Sequence, residues 1–318
     1  MNIKYSNKEQ IFIGHLTKDD IVFKDGSTSF NNLGGAALYA SAGSCLWKGN
    51  SSIISVIGKS YDYNKLIDIS KRSNLDIDNI KKLNEHGLDI WVLYDKNDEH
   101  YFVNKYYSNN FDDFVPNSSM IPKQKLVPEN IFHITSIPIE VQNELVNFLK
   151  YNNCTISLDP YQLACNSQYL NLWENIFNKI DIFFPSELEM NLLCGAQNIF
   201  DDFKKVIDFA KFYKIKNLVL KAGEKGAFLY IHEQKKVFHI PAISKKAIDC
   251  TGAGDAFAGG FVYRYNITHD AKEAFYYASI SSSFAIECTN PSELFSIKYE
   301  HVKQRFNENN NKISEIYY

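Results

Sequence analysis

Short apolar runs that end in small or acidic residues, each followed by a stretch with helical spacing, set the strongest limit on what this chain can fold into. Six such runs, at residues 10–13, 52–57, 131–135, 155–158, 181–184 and 217–220, have the length of buried strands. Between and after them, residues 140–151, 200–213 and 271–286 carry apolar side chains three and four apart, the stripe of a helix docked on a sheet. This alternation predicts a mostly parallel sheet covered on both faces, a three-layer α/β/α core. The 318 residues suit about two ordinary domains or one large α/β domain with an insertion. No linker or internal repeat divides them, so a single domain over residues 1–318 is expected.

Two stretches break the alternation. Residues 21–24, the turn Asp25-Gly26 and a further extended piece predict a hairpin, because Asp-Gly readily takes the positive φ such turns need. Residues 90–94, a polar turn at 95–98 and residues 99–105 predict a second one. Trp91 and Leu93 face one way, Ile90, Val92 and Tyr94 the other, so both faces are apolar and neither suits bare exposure. The hairpins, at about residues 19–33 and 88–107, are expected to form a small β lid with one face over a substrate cleft. An ordinary surface hairpin packed on the core is the alternative. The polar residues 307–318 are expected to fray.

Charge narrows the partners. With 34 basic and 37 acidic residues, a net charge of −3 and no basic stripe, neither nucleic acid nor an anionic membrane is an expected partner. Apolar stretches such as residues 256–263 fall far short of the roughly 20 residues a spanning helix needs. Residues 1–10 are polar and mixed in charge, unlike a secretory leader, and six scattered cysteines without a close pair suit reduced thiols. A cytoplasmic setting is expected.

The chemistry concentrates in Asp249-Cys250-Thr251-Gly252-Ala253-Gly254-Asp255-Ala256-Phe257. An extended lead-in runs into two glycines and then an apolar helical stretch, so residues 252–255 should open a helix. The unpaired N–H groups and the dipole at such a tip attract anions. Asp255, in the same turn, can accept a proton from an incoming hydroxyl. Amides that neutralise a phosphoryl group beside a base for the attacking alcohol are what phosphoryl transfer needs. A tight loop with a favourable first-turn acid is the plain structural alternative. No Gly-x4-Gly-Lys-Ser/Thr loop occurs, and Phe257 stands where a dinucleotide fingerprint wants Gly or Ala.

This string resembles the carboxy-terminal signature of the ribokinase-like, or PfkB, family of carbohydrate kinases, and the resemblance extends over nearly the whole chain. It implies a ribokinase-like core and transfer of the γ-phosphoryl group of ATP to a hydroxyl, expected to be a hydroxymethyl, of a sugar or related polyol. A nucleoside or myo-inositol kinase, or a ligand-sensing protein that keeps the fold and does little chemistry, are the alternatives. By resemblance Asp255 is the catalytic base, and Gly252, Ala253 and Gly254 form the anion hole.

Gly34 and Gly35, in Leu33-Gly34-Gly35-Ala36-Ala37-Leu38-Tyr39, match the family's amino-terminal Gly-Gly signature, which touches substrate hydroxyls. Tyr39 replaces a common Asn there and offers one hydroxyl and an apolar face on which a sugar or base can pack. Asp19, with adjacent Asp20 as the alternative, matches a carboxylate that binds substrate hydroxyls. Ser186 and Glu189 match the family's Asn-x-x-Glu region, in which the glutamate organises Mg2+ through water. The same pair also reads as a capping box. Lys221, Gly223 and Gly226 match the strand and glycine turn beside the nucleotide, and Ser279 an adenine-side position. ATP and Mg2+ are the implied cofactors, with a monovalent cation such as K+ used by some members. The apolar lid faces suggest a homodimer through the lid.

Overall fold

The computed structural model describes residues 8–96, 100–105, 111–244, 246–310 and 312–317. The first apolar run forms β1 (Gln10–Ile13), and the chain leaves it at once into β2 (Thr17–Val22) and β3 (Thr28–Gly34). Next come α1 (Ala36–Cys45), β4 (Ser51–Ile57), α2 (Tyr63–Arg72), β5 (Leu75–Lys82), β6 (Asp89–Tyr94) and β7 (His100–Asn104). The alternation resumes with β8 (Ile131–Ile134), α3 (Ile139–Tyr151), β9 (Thr155–Leu158), α4 (Leu170–Phe177), β10 (Ile182–Phe183), α5 (Glu187–Cys194), α6 (Lys204–Phe212) and β11 (Asn217–Lys221). The strands β12 (Ala227–Ile231) and β13 (Lys236–Ile240) precede α7 (Ala253–Thr268), α8 (Ala271–Ala285), α9 (Pro291–Leu294), α10 (Tyr299–Glu308) and β14 (Ser314–Ile316).

Ten strands make one sheet in the order β14-β13-β12-β11-β10-β9-β8-β1-β4-β5. From β11 to β5 every pairing is parallel, as crossover helices require, and the β11 to β14 end is antiparallel. Side chains alternate across the sheet: Ile11 and Ile13 face one core, Phe12 the other, and Leu218 and Leu220 oppose Val219 in the same way. One core is closed by α1, α2, α7 and α8, the second by α3, α4 and α6. In the second, Trp173, Phe177 and Phe183 stack and abut one another at ring-centroid distances of 5.2–6.0 Å. Among the described residues no helix is long and apolar enough to cross a membrane.

Both expected hairpin regions join a second sheet in the order β3-β2-β6-β7. Gly26 takes φ +83° at the first turn. Residues 97–99 of the second turn, and residues 106 and 107, lie outside the described residues. Asp19 sits within β2, which starts at Thr17 and pairs with both β3 and β6.

Several details differ from the sequence reading, which did not anticipate β12 and β13. The edge strand β5 went unrecognised, since Asp76, Asp78, Lys81 and Lys82 leave its outer positions polar. The helix expected from residue 200 starts at Lys204, because Phe200 and Phe203 turn aside to pack on Phe228 of β12. The tail does not simply fray: α10 runs to Glu308, and β14 pairs with the open edge of β13, helped by a 2.9 Å Lys236–Glu315 ion pair.

α1 and α7 cross unusually closely. A Cβ on Gly43 would overlap the carbonyl of Ala256, and one on Gly259 the carbonyl of Ala40. Only hydrogen side chains allow backbones this near, and the crossing fixes how the starts of the two helices stand to one another. Gly259→Ala should therefore force the helices apart, lowering stability by about 1–3 kcal/mol. Denaturant unfolding checks this, and unchanged stability would mean that the crossing absorbs a methyl group.

Candidate active site

On the sheet, β1 lies between β4 and β8, so the crossovers leave in opposite directions from it, and clefts in such sheets form at the carboxyl ends of the strands. Several sequence-predicted residues gather at those ends. Lys221 ends β11, and Ser186 follows β10, bridged to Lys221. Asp159 follows β9 directly.

Gly252, at φ +71°, heads α7, and Ala253, Gly254 and Asp255 are its first three residues. Ala256 N–H donates to the Gly252 carbonyl at 2.9 Å. The N–H groups of Gly254 and Asp255 precede the first residue that can find an acceptor within the helix, so the tip presents donors. A Cβ on Gly252 would overlap the Tyr39 ring, and one on Gly254 would lie 3.3 Å from Lys221 Nζ. The lysine thus overhangs the tip.

Lys221 Nζ donates to Asp159 Oδ2 at 2.6 Å. Burial works against its ammonium, but Asp159, Glu189 and Asp255 outweigh that and hold its pKa above the usual lysine value. Burial, then the Asp159 charge, pushes Asp255 up to about 8, with Lys221 opposing and Glu189 adding. Glu189 is raised to about 7 by burial and by Asp159. Burial also raises Asp159, against the pull of Lys221. Three carboxylates with too little water therefore share one cation.

Ser186 and Glu189 form the capping box at the start of α5: Glu189 N–H donates to Ser186 Oγ at 3.2 Å, and Ser186 N–H to Glu189 Oε2 at 2.6 Å. The Ser186 hydroxyl is engaged in that cap, while Glu189 also belongs to the charge cluster.

On the small sheet, Asp19 is buried beside Gly34, where a Cβ would overlap its carboxylate. Its Oδ1 is buried with no hydrogen-bond partner among the described residues. Asp20 points elsewhere, ion-paired with Lys105 and accepting the Asn31 N–H at 2.6 Å, so of the two acids it is Asp19 that lies against Gly34. Gly35, at φ +102°, lets α1 start close against the His15 carbonyl.

Two expectations need correcting. Tyr39 is only 4% exposed and its ring lies against Gly252, so that face does not receive a ligand ring. Its phenol lies near Asp249, Asp19, Tyr94 and Asp255, whose charges add to burial in raising its pKa. Gly226 owes its missing side chain to protein, because a Cβ there would overlap the Ile240 carbonyl on β13, whereas Gly223 borders open space. Ser279 is buried on α8 and makes no hydrogen bond to the charge cluster among the described residues.

The sequence reading missed Asp159, although an acid directly after a parallel strand is a usable signal. It also missed the contact of Tyr94 with the Asp249 loop, where the Tyr94 hydroxyl donates to Asp249 Oδ1 and lies 2.9 Å from Thr251 Oγ1. No local pattern announces that meeting across 155 residues.

A helix tip rich in donors, an acid in its first turn and a lysine-linked carboxylate cluster at the strand ends define a phosphotransferase of the ribokinase-like class. The chain belongs to the pfkB family of carbohydrate kinases, which it matches over residues 2–297. A cytidine kinase of Thermococcus kodakarensis is 28% identical over 263 residues, covering 80% of this chain and 88% of that protein. A nucleoside kinase of Methanocaldococcus jannaschii is 28% identical over 265 residues, covering 80% and 79%. A ribokinase-like E. coli protein solved with ATP and Mg2+ superposes with a TM-score of 0.75 at 20% identity, covering 95% of this chain and 99% of its own.

Asp19 yields a pH prediction. Burial, reinforced by Asp249 and Asp89 and opposed by Thr17, pushes its carboxyl up to about 7. A folded-state value above the unfolded one means the unliganded protein loses stability as pH rises from the ordinary carboxylate range through about 7. Asp19→Asn should therefore melt a few degrees higher than the parent at pH 8, with a smaller gain at pH 5. A gain that shrinks as pH rises would contradict the burial argument.

Proposed function

We propose that the chain is a MgATP-dependent kinase whose acceptor is the 5′-hydroxymethyl group of a ribonucleoside. The observation that carries this reading is the meeting of Asp255, Lys221, Asp159 and Glu189 at the α7 tip, with Tyr39 joining that group to Asp19.

In this reading Asp255 takes the proton of the acceptor hydroxyl, and the amides of Gly252 and Gly254 stabilise the charge on the phosphoryl oxygens, whereas the Ala253 N–H, expected among them, donates instead to the Cys250 carbonyl at 3.2 Å. Lys221, held by Asp159, approaches the phosphates of the nucleotide beside the Gly223 turn. Buried carboxylates with raised pKa fit a cation. Mg2+ keeps several of its own waters, so two buried carboxylates can hold it without contacting it directly. Asp159 and Glu189 are the residues that would hold Mg2+ through such waters, and the bound ion would neutralise phosphate oxygens. Asp249 Oδ2 is buried without a hydrogen-bond partner among the described residues, which fits a monovalent cation such as K+ beside the loop.

Asp19 accepts sugar hydroxyls, and Gly34 leaves room for it. The β3-β2-β6-β7 sheet acts as the lid over them within one domain, excluding water from the transfer. On the face that carries Val92 and Tyr94, the cross-strand partner of Val92 is Phe102, 60% exposed. Asp19 lies on that same face two strands away, about 10 Å across the sheet. One sugar ring does not bridge this span, whereas a sugar carrying a base does. The nucleoside kinases among the relatives support the same choice over a free sugar. The outer face, with Trp91, Phe30 edge-on to it, and exposed Tyr101 and Val103, fits a second copy of the chain. Six cysteines scattered along the sequence without a close pair suit action in the reducing cytoplasm.

The test is turnover with MgATP on cytidine, inosine, ribose, fructose and myo-inositol. A ribonucleoside should give the highest kcat/KM. Phe102→Ala should raise its KM about 3- to 10-fold while sparing kcat. Ribose or fructose turned over more efficiently than either nucleoside would reverse the assignment.

A further inference from the structure

We propose that Tyr94 is a positioning residue of the transfer step, tying the lid to the anion loop so that the α7 amides are set for reaction when the cleft is covered. The inference rests on the kinase reading and adds a residue outside its signature motifs.

Tyr94 is the last residue of the lid strand β6, and its ring stacks on Phe23, just beyond β2, at 6.0 Å between centroids. Its hydroxyl donates to Asp249 Oδ1, and that oxygen also accepts the Thr251 N–H at 2.7 Å. The second bond shapes the turn that leads directly into Gly252. Thr251 Oγ1 lies 2.9 Å from the same phenol, so the lid holds the loop at two points. Behind the loop, the N–H groups of Ile248 and Asp249 donate to the Ile286 carbonyl at 2.7 and 3.3 Å, anchoring it to the end of α8.

The consequence follows from where these bonds lie. Asp249 and Thr251 are buried, so the phenol replaces water that would otherwise solvate them when the lid is away. Lid position and loop geometry are thereby linked through one acceptor. A lid that closes without Tyr94 would cover the cleft while leaving the turn before Gly252 less fixed. Water would then compete with the acceptor alcohol for the phosphoryl group.

The experiment compares the parent with Tyr94→Phe, Thr251→Val and the double variant, using cytidine as acceptor and measuring ADP release and cytidine phosphorylation in parallel. Melting temperatures are recorded for each. Tyr94→Phe should lower kcat/KM for cytidine about 10- to 100-fold, the worth of a hydrogen bond to a charged group. It should leave KM for MgATP within about twofold and raise ADP released per cytidine phosphorylated above the parent ratio. Thr251→Val should give a smaller loss in the same direction, and the double variant should be no worse than Tyr94→Phe, because both remove one linkage. Parental kcat/KM and an unchanged ratio in Tyr94→Phe, or losses that multiply in the double variant, would overturn the proposal. If Tyr94→Phe melts well below the parent, Thr251→Val decides, with a raised ADP ratio supporting the linkage and a parental ratio refuting it. A parent that phosphorylates no nucleoside or sugar refutes the kinase reading itself, and with it the role given to Tyr94.

Discussion

A single lysine standing among three carboxylates is the constraint on which the site turns. Asp159 follows β9, Glu189 lies in the first turn of α5 and Asp255 in the first turn of α7, and among the described residues Lys221 is the cation that compensates them. Burial makes that compensation costly to disturb and incomplete as it stands, which is why the acids are held above their ordinary pKa. Such a cluster is ill at ease alone and better satisfied with a metal–nucleotide complex, whose cation and phosphates meet both kinds of charge.

The fold delivers these groups by simple means. Parallel strands bring their carboxyl ends to one edge, so residues far apart in sequence, such as Asp159 and Lys221, meet at 2.6 Å. The close crossing of α1 and α7 brings two glycine-led helix starts together, with Tyr39 wedged against Gly252 between them. The small sheet then carries Asp19 from the other side, since β2 leaves directly from β1. Each of these placements follows from backbone geometry before any side-chain chemistry is considered.

Much of this was legible beforehand, for identifiable reasons. The parallel strands read clearly because both of their faces are buried, as Ile11, Phe12 and Ile13 illustrate, and the Gly252 tip read clearly because glycines and an acid in that order have few other uses. The edges were harder. β5 and β14 are half-polar strands whose existence depends on a partner already being in place. Tyr39 illustrates a subtler failure: a motif match could not say that its ring would be consumed by packing on Gly252. Asp159 and Tyr94 bond to partners 62 and 155 residues away, distances at which no local pattern speaks.

In the proposed transfer, everything turns on Asp255 as the proton acceptor at a donor-rich helix tip. The most direct measurement is turnover of Asp255→Asn on the best acceptor, alongside ATP affinity by calorimetry. Removing one of three crowded acids should leave ATP binding as tight as in the parent or tighter, while kcat falls about 10²- to 10⁴-fold. A variant that retains kcat within about threefold of the parent would show that the proton leaves by another route, and the central claim would fail.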